Sequence, residues 1–417
     1  MKNIRLLKGL KPSLLTLTIG GFSIGMTEFM MMGVLPDVSR TLSISIPSAG
    51  HLISIYALGV VIGAPLMTGI TGKLSPKKVL MGLMLMCGLF NALFAISPNY
   101  ELLMASRFFA GLPHGAFFGM GAVVASRLSE PGREARTVSL MFAGLTVANI
   151  IGVPIGTYIG HNFSWRISFM IIAAVAFLAA GSIHKWLPNV KTPANGGFAQ
   201  SLSAFKKPEP WLIILISAIG TGGLFAWISY IAPLMTEIAG FSANAITPIM
   251  IVAGVGMAVG NFMGGRLADR FSPLKTTGFL LLAMVVSLII VALVTQFKIP
   301  ALAMTFVTGL IAFAVISPMQ MLMIQAAKGS EMLASSAIQA SSNMGNALGA
   351  FLGGLPLVAG FSYTSPQYVG AALAFMGFLF CVGLFMMAKK NQNPVPAAEI
   401  KGTTRIIIGK KPEKISS

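Results

Sequence analysis

Residues 265–275 read GRLADRFSPLK, and residues 68–78, which lie 197 positions earlier, read TGITGKLSPKK. Each stretch follows one long apolar run and precedes another, and each carries a basic residue, then Ser-Pro and then Lys at the same relative positions. A loop that recurs between apolar runs at a fixed distance indicates that the chain contains two copies of one multi-helix unit.

The same offset of 197 residues aligns further positions from the first apolar run to the fifth. The aligned pairs are Pro36 with Pro233, Gly59 with Gly256, Gly63 with Gly260, Gly132 with Gly329, Asn149 with Asn346, Gly152 with Gly349 and Gly156 with Gly353. Two parallel repeats related by an axis along the membrane normal are an architecture found among secondary transporters.

The composition indicates a chain that uses a lipid bilayer as part of its solvent. Hydrophobic residues make up 55% of the 417 residues, charged residues make up 10%, and the mean hydropathy is +0.82. A soluble protein has about 25% charged residues, so this composition excludes an ordinary soluble globule. The net charge of +18 falls in short clusters between apolar runs, which excludes a nucleic-acid-binding face.

Twelve apolar runs are long enough to cross a bilayer as helices of about 20 residues. They are residues 13–36, 48–70, 79–97, 102–126, 137–160, 165–187, 211–236, 245–268, 276–297, 300–324, 333–360 and 367–388. Helices are expected because backbone groups within lipid must be hydrogen-bonded internally. The predicted fold is an all-α membrane protein with twelve transmembrane helices in two six-helix, pseudo-symmetric halves.

The positive charges predict the orientation of these spans and the division of the chain. Of the Lys and Arg residues, 25 fall on the side of both termini, three fall on the other side, and Arg107 lies within a span. Because positive loops stay in the cytoplasm, both termini are predicted to be cytoplasmic. The loop rich in Pro, Gly and Ser after span six separates an N-terminal half, residues 1–187, from a C-terminal half, residues 211–389. Residues 188–210 are then a cytoplasmic linker, and residues 390–417 are a basic cytoplasmic tail.

Glu28 is the only carboxylate that falls deep within a predicted span. A charge at the bilayer centre costs about 2.5–3.5 kcal/mol, so Glu28 must be protonated, paired or facing a cavity. Arg107 lies at a similar predicted depth, about 9–12 Å from the outer surface, so the two side chains can pair. His114 follows Arg107 by seven residues on the same helix face. Glu28 either titrates or bonds a neighbouring helix, and His114 either relays protons or hydrogen-bonds as a neutral ring.

Other polar and aromatic side chains within the spans are candidates to line a substrate cavity at the bilayer midplane. They are Tyr56, Asn149, Trp227, Tyr230, Gln320, Asn343 and Asn346. Such side chains serve either as ligand contacts or as hydrogen-bonding links between helices.

Small residues recur at every fourth position of two equivalent spans. They are Gly144, Ala148, Gly152, Gly156 and Gly160 in span five, and Ala337, Ser341, Gly345, Gly349 and Gly353 in span eleven. This spacing lets helix backbones approach closely in lipid. It fits both static packing and a contact that slides as two halves rock against each other.

Several short motifs lie at fixed places in spans one to six. They are Thr27-Glu28-Phe29, Gly33-Val34-Leu35-Pro36, Tyr56-Ala57-Leu58-Gly59, Gly63-Ala64-Pro65, Arg107, Gly111, His114, Gly115, Gly144, Ala148-Asn149, Gly152-Val153-Pro154, Gly156, Trp165-Arg166 and Phe169. In this combination the chain, from about Leu14 to Ala388, resembles the major facilitator superfamily. Within that superfamily it resembles the twelve-span drug:proton antiporters, and most of all their sugar-efflux and AraJ-like branch.

The resemblance implies a secondary transporter that exports a sugar or a drug-like molecule in exchange for protons, by alternating access. It implies a multi-pass protein of the bacterial inner (plasma) membrane that works as a monomer, with the bilayer, protons and a small-molecule substrate as its partners. It assigns proton coupling to Glu28 and Arg107, and the position of His114 makes that residue a further candidate.

The loop GRLADRFSPLK matches the gating signature of the family, in which an acidic residue makes charged contacts that hold one conformation. This role is carried over to Asp269 and Arg270 only, because Gly72 stands at the position equivalent to Asp269 in the N-terminal half. A plain basic loop that sets the topology is the alternative. Three residues of span five match part of the family's antiporter signature and are further gating candidates: Gly152, Pro154 and Gly156.

Other functional classes fit the sequence less well. It contains neither a phosphate-binding loop with P-loop spacing nor a His-Glu-x-x-His run, so neither an ATP-driven pump nor a membrane metalloprotease is expected. We therefore expect no enzyme activity, no cofactor and no metal. A proton-coupled importer and a nucleoside exporter are alternatives with the same fold. A passive channel is a further alternative, which the two-fold repeat disfavours.

A topology reporter tests the predicted orientation. Alkaline phosphatase fused after Lys389 should be inactive, because the enzyme folds only outside the cytoplasm and this position is predicted to be inside. The same reporter fused after Asn99, in a predicted outer loop, should be active and serves as the control. High activity after Lys389 would contradict the count of twelve spans.

Overall fold

The computed structural model describes residues 12–71, 74–130, 134–190, 205–327 and 330–392. Within these ranges it contains helices and no strand. The α-helices, numbered in chain order, are α1 Pro12–Gly33, α2 Leu35–Leu42, α3 Ile46–Thr71, α4 Pro76–Ile96, α5 Tyr100–Leu128, α6 Glu134–Val147, α7 Val153–Ile159, α8 Trp165–Trp186, α9 Pro208–Gly220, α10 Gly222–Ile228, α11 Ile231–Pro233, α12 Ile246–Phe271, α13 Pro273–Val294, α14 Lys298–Ala314, α15 Ile316–Ala326, α16 Glu331–Val358 and α17 Ser365–Gln392. Between them lie π-helical turns at Ala148–Gly152, Gly160–Ser164 and Leu234–Ile238, and a 3₁₀ turn at Ala243–Ala245.

These helices coincide with the twelve predicted spans. Ten stretches of the described chain are long and apolar enough to cross a membrane. One of them, Thr137–Trp186, is 50 residues long and holds both span 137–160 and span 165–187. The predicted span 333–360 is the 28-residue helix α16, which is rich in Ser, Asn and Gln. The predicted all-α membrane fold is confirmed.

Several spans predicted as single helices are interrupted, and proline accounts for two of these interruptions. A proline ring clashes with the carbonyl group four residues earlier and has no N–H to offer it. Pro233 therefore breaks span 211–236 near Ser229, where α10 ends. Pro318 breaks span 300–324 after Ala314, where α14 gives way to α15.

Parts of the predicted organisation lie outside the described residues. Of the predicted linker, residues 188–210, the structure describes only 188–190 and 205–210, and α9 already begins at Pro208. Of the predicted tail, residues 390–417, only the end of α17 is described. Gly72, the N-terminal counterpart of Asp269, also lies outside the described residues. The boundaries of the two halves therefore stay predictions.

Equivalent glycines pack equivalent helices in the two halves. A Cβ atom at Gly63 of α3 would meet the backbone of Leu112 on α5, and one at Gly260 of α12 would meet the backbone of Leu310 on α14. Without a hydrophobic drive between helices in lipid, close backbone contact of this kind supplies the packing energy. The repeat seen in the sequence is thus a repeat of helix contacts.

The small-residue ridges of spans five and eleven also pack within their own halves. A Cβ atom at Gly144 of α6 would meet the backbone of Thr18 on α1, and one at Gly349 of α16 would meet the backbone of Gly222 on α10. In this conformation the ridges serve as packing surfaces.

Contacts between the halves are made by α3 with α16, and by α12 with α7 and the π-turn that precedes it. Tyr230 lies at the first of these contacts. Its buried hydroxyl donates to the carbonyl oxygen of Ala350 on α16 at 2.7 Å, and a Cβ atom at Gly50 of α3 would lie 2.5 Å from the same hydroxyl. The absence of a side chain at Gly50 therefore lets α3 pack against Tyr230.

Helix α12 offers two adjacent glycines in opposite surroundings. Gly264→Ala should lower the melting temperature, because the methyl group would meet the carbonyl oxygen of Ala314, and overpacking costs about 1–3 kcal/mol. Gly265→Ala is the matched control, since a Cβ atom there meets nothing within 4 Å. Thermal unfolding of both variants in one detergent measures the difference. Equal melting temperatures would contradict the close packing of α12 on α14.

Candidate functional site

Arg107 lies within α5 with a fully buried side chain. Its Nε donates to the carbonyl oxygen of Leu52 at 3.1 Å and its Nη1 to that of Thr27 at 2.9 Å, so the residue joins α5 to α3 and α1. Its guanidinium carbon lies 4.2 Å from the centre of the Tyr56 ring. A desolvated cation–π contact of this kind contributes about 2 kcal/mol. The remaining nitrogen, Nη2, has no hydrogen-bond partner among the described residues.

The Glu28 side chain lies beside this arginine. Glu28 directly follows Thr27 on α1 and is 6% exposed. Its carboxyl group interacts electrostatically with Arg107 and lies close to the amide of Asn346. No side chain of the described residues forms a direct ion pair with it. The structure therefore brings Glu28 and Arg107 together, but two nitrogens of Arg107 bond backbone carbonyl groups rather than the carboxylate.

Tyr56 connects Arg107 to His114. The Tyr56 hydroxyl lies 3.1 Å from Nδ1 of His114, and both side chains are buried. Tyr56, predicted to line a substrate cavity, thus lies between two predicted proton-coupling residues. Glu28, Arg107, Tyr56 and His114 form a continuous buried set, which we call the Glu28 cluster.

Four of the predicted cavity residues carry buried polar atoms without a hydrogen-bond partner among the described residues. These atoms are Nδ2 of Asn149, Nε1 of Trp227, Oδ1 of Asn343, and both Nδ2 and Oδ1 of Asn346. Leaving a buried polar atom unpaired costs about 1–3 kcal/mol. Atoms kept at such a cost are suited to contact a substrate or an ordered water.

The two remaining predicted cavity residues bond helix α16 instead. Tyr230 donates to Ala350, as described above, and Nε2 of Gln320 donates to Oγ of Ser335 at 2.8 Å. The structure therefore places Tyr230 and Gln320 at helix contacts rather than among the unpaired amides.

Aromatic rings from both halves meet next to the Glu28 cluster. The Phe29 ring lies 6.3 Å from the ring of Phe225 on α10 and 6.1 Å from that of Phe313 on α14, measured between centroids. Within the described ranges, no group of three or more His, Cys, Asp or Glu side chains is arranged to hold a metal ion. The functional groups of the candidate site are therefore one acid, one cation, amides and aromatic rings.

Comparison with known proteins identifies the family. The chain matches the profile of the Major Facilitator Superfamily over residues 17–332 and 249–414. It belongs to that superfamily. AraJ of Escherichia coli (strain K12) is 38% identical over 390 residues, which cover 93% of this chain and 99% of AraJ. The chloramphenicol resistance protein of Streptomyces lividans is 30% identical over 349 residues, which cover 82% of this chain and 87% of that protein.

Solved structures of the superfamily share the fold at low sequence identity. The crystal structure of the D-xylose-proton symporter aligns with a TM-score of 0.72 at 16% identity, covering 89% of this chain and 96% of the symporter. Two parallel six-helix halves are the architecture of the major facilitator superfamily. The chain is therefore a multi-pass inner-membrane transporter, and its relatives are transporters rather than enzymes.

The predicted gating residues of this superfamily member lie at two places. Asp269 and Arg270 are exposed near the end of α12, where Asp269 forms no ion pair with a described residue and Arg270 lies 5.2 Å from the Phe271 ring. The charged contacts predicted for Asp269 are thus absent from the described part of this conformation, because its side chain faces outward. Gly152 and Gly156 contact α1.

Pro154 lies in the first turn of α7, directly after the π-helical turn Ala148–Gly152. A proline disrupts the hydrogen bonding of the turn before it, and π-helical turns occur frequently at functional sites. This turn contains Asn149, whose carbonyl oxygen a Cβ atom at Gly254 of α12 would meet. The π-helical turn before Pro154 therefore lies at a contact between span five and α12.

Sequence reasoning missed two polar contacts. Nδ2 of Asn91 donates to the carbonyl oxygen of Cys87 at 2.8 Å and to Oγ1 of Thr27 at 3.3 Å, so α4 also holds the residue before Glu28. A lone amide in an otherwise apolar span was a visible signal. Asp37 and His161 pair at 3.0 Å although 124 residues separate them, and nothing local in the sequence indicates that pair.

Two substitutions of Tyr56 separate its ring from its hydroxyl. Tyr56→Phe keeps the ring under Arg107 but leaves Nδ1 of His114 unpaired, which should lower the melting temperature through a loss of about 1–3 kcal/mol. Tyr56→Leu also removes the cation–π contact and should cost about 2 kcal/mol more. Thermal unfolding in detergent compares both with the wild type. If the Phe and Leu variants have the same melting temperature, the cation–π contact between the ring at position 56 and Arg107 does not contribute to stability.

Proposed function

We propose that this transporter exports a sugar or a drug-like small molecule in exchange for protons, by alternating access and as a monomer. The observation that carries the proposal is the position of Glu28, a buried carboxyl group on α1 beside Arg107. A carboxyl group inside a membrane protein is retained at a cost, and proton transfer is a common reason. Glu28 binds a proton when the cavity faces one side and releases it when the cavity faces the other.

Arg107 supports this cycle from a fixed position. Its Nε and Nη1 donate to backbone carbonyl groups, which hold the cation independently of the charge on Glu28. The unpaired Nη2 is the nitrogen left to attract ionised Glu28 or an acceptor atom of the substrate. His114, bonded to Tyr56, is the next group through which a proton reaches the cluster.

The unpaired amides and the indole are the proposed substrate contacts. Asn149, Asn343, Asn346 and Trp227 together offer hydrogen-bond donors and acceptors that suit hydroxyl or amide groups. The adjoining aromatic rings suit the apolar part of a drug-like molecule. The name of the chloramphenicol resistance protein, a 30% identical relative, supports the drug-like class.

The proposed cycle moves residues 1–187 against residues 211–389, with both termini, the linker 188–210 and the tail 390–417 in the cytoplasm. The distribution of Lys and Arg supports this orientation. Asp269 and Arg270 at the end of α12, and Gly152, Pro154 and Gly156 in span five, are the proposed gating residues. Their support is the match to the family's signatures.

Inside-out membrane vesicles test the proposal with three labelled probes: chloramphenicol, L-arabinose and uridine. One proton driven by about 100 mV supplies about 2.3 kcal/mol, enough for about a fifty-fold substrate gradient. Wild-type vesicles with an acidic interior should accumulate a probe to that extent. Glu28→Gln keeps the side chain's shape but cannot titrate, so it should abolish accumulation while probe exchange continues.

The control is Glu237→Gln, which removes an exposed carboxylate outside the cluster and should leave accumulation unchanged. Accumulation in Glu28→Gln vesicles as high as in the wild type would place the proton elsewhere. Accumulation of uridine alone would favour the nucleoside exporter, and uptake only by right-side-out vesicles under an inward proton gradient would favour the importer.

A further inference from the structure

Asn346 is a fully buried amide that makes no hydrogen bond of regular geometry with a described residue. Its side chain on α16 has no exposed surface, and neither Nδ2 nor Oδ1 has a hydrogen-bond partner among the described residues. By contrast, Asn343 on the same helix donates to the carbonyl oxygen of Gln339 at 3.1 Å. Buried polar groups in proteins nearly always form hydrogen bonds, so we expect Asn346 to have a hydrogen-bond partner in some state of the transport cycle.

One turn after Asn346, α16 packs against α10, which in turn contacts the N-terminal half. A Cβ atom at Gly349 of α16 would lie 2.9 Å from Cβ of Phe225, so α16 and α10 are pressed together at this level. The Phe225 ring stacks on that of Phe29, which follows Glu28 on α1. The Glu28 carboxyl group is close enough to the Asn346 amide to interact with it, but the contact falls short of a formed hydrogen bond.

The other titratable or charged groups around Glu28 come from the N-terminal half. Arg107 reaches it from α5 and Tyr56 from α3, and Cys87 of α4 lies behind them. His114 joins through Tyr56. From the C-terminal half, α10 carries no charged residue, and the only one on α16 is Glu331, 15 residues or about 22 Å before Asn346.

Resting on the proposed coupling role of Glu28, we propose that Asn346 is a positioning residue through which the C-terminal half responds to the protonation of Glu28. An amide offers both a donor and an acceptor. Nδ2 of Asn346 donates to the ionised carboxylate, whereas Oδ1 accepts a hydrogen bond from the protonated acid. Ionised Glu28 is also attracted by Arg107, and neutral Glu28 is not. Protonation therefore weakens the interaction of Glu28 with Arg107 in the N-terminal half, whereas its hydrogen bond with Asn346 in the C-terminal half remains.

The repeat supplies a matched control. Asn149 is equivalent to Asn346, and its Nδ2 is also buried and unpaired. At the same offset, however, the residue equivalent to Glu28 is Phe225. The position that corresponds to Glu28 in the C-terminal half therefore carries no acid with which Asn149 could interact. Comparing the two asparagines separates an effect on Glu28 from the general loss of a buried amide.

A mutant cycle in purified protein tests the contact without any substrate. Thermal unfolding is followed between about pH 5 and pH 9 for the wild type, Glu28→Gln, Asn346→Leu and the double variant. We expect the two substitutions to be non-additive by about 2 °C or more. Because the amide contacts the two forms of Glu28 differently, the non-additivity should change with pH. The cycle of Glu28→Gln with Asn149→Leu should be additive at every pH.

Transport in proteoliposomes gives a second readout, with labelled chloramphenicol or L-arabinose as the probe. Relative to exchange, Asn346→Leu should lower gradient-driven accumulation by about tenfold, from about fifty-fold to about fivefold, because it weakens the coupling to Glu28. Asn149→Leu removes a proposed substrate contact and should lower exchange and accumulation by the same factor. Asn346→Gln keeps the amide and should restore part of the ratio.

Two results in the cycle overturn this proposal: additivity of Glu28→Gln and Asn346→Leu at all pH values, or a non-additivity that does not vary with pH. An unchanged ratio of accumulation to exchange in Asn346→Leu overturns it as well. If Asn346→Leu does not fold, Asn346→Ser completes the same cycle. The proposed function fails separately, when Glu28→Gln vesicles still concentrate a probe, and the unfolding cycle does not depend on that result.

Discussion

The buried guanidinium of Arg107 organises the N-terminal half. A cation inside a helix bundle in lipid is tolerated only when its donors are satisfied by protein groups. Arg107 meets this constraint with two backbone carbonyl groups and the ring of Tyr56, and so fixes α1, α3 and α5 relative to one another. Asn91 of α4 adds a bond to Thr27 from the other side. The position of Glu28 follows, because it is the next residue on α1.

The C-terminal half repeats the packing of this region but not its chemistry. At an offset of 197 residues, the four members of the Glu28 cluster correspond to apolar residues, namely Phe225, Met304, Ala253 and Ile311. Four glycines that bring helices together recur in the second half: Gly59, Gly63, Gly152 and Gly156 correspond to Gly256, Gly260, Gly349 and Gly353. Packing must be preserved wherever the fold is repeated, whereas each buried charge costs about 2.5–3.5 kcal/mol and is retained only where it is used. One acidic site therefore accompanies two structurally similar halves.

The fold was predictable because its signals are local, and much of the site was not because its contacts are distant. Span lengths, the repeat and the shared depth of Glu28 and Arg107 all follow from residue type and position along the chain. Sequence does not give the direction of a side chain, so it does not predict that Tyr230 and Gln320 both bond α16. For the same reason the sequence does not predict that the Asp269 side chain faces outward. The breaks near Ser229 and Val315 do follow from the sequence, because Pro233 and Pro318 each disrupt the turn before them.

Two stable arrangements of the halves require a contact that is neither too strong nor fully satisfied. A complete hydrogen-bond network between α1 and α16 would stabilise one arrangement too strongly, because breaking it would leave several buried polar atoms without hydrogen-bond partners. The contact of Glu28 on α1 with α16 instead involves the amide of Asn346, whose two unsatisfied atoms cost about 1–3 kcal/mol each. One proton crossing about 100 mV supplies about 2.3 kcal/mol. These energies are of similar size, so in the proposed cycle a change in the protonation of Glu28 shifts the balance between the two arrangements of the halves.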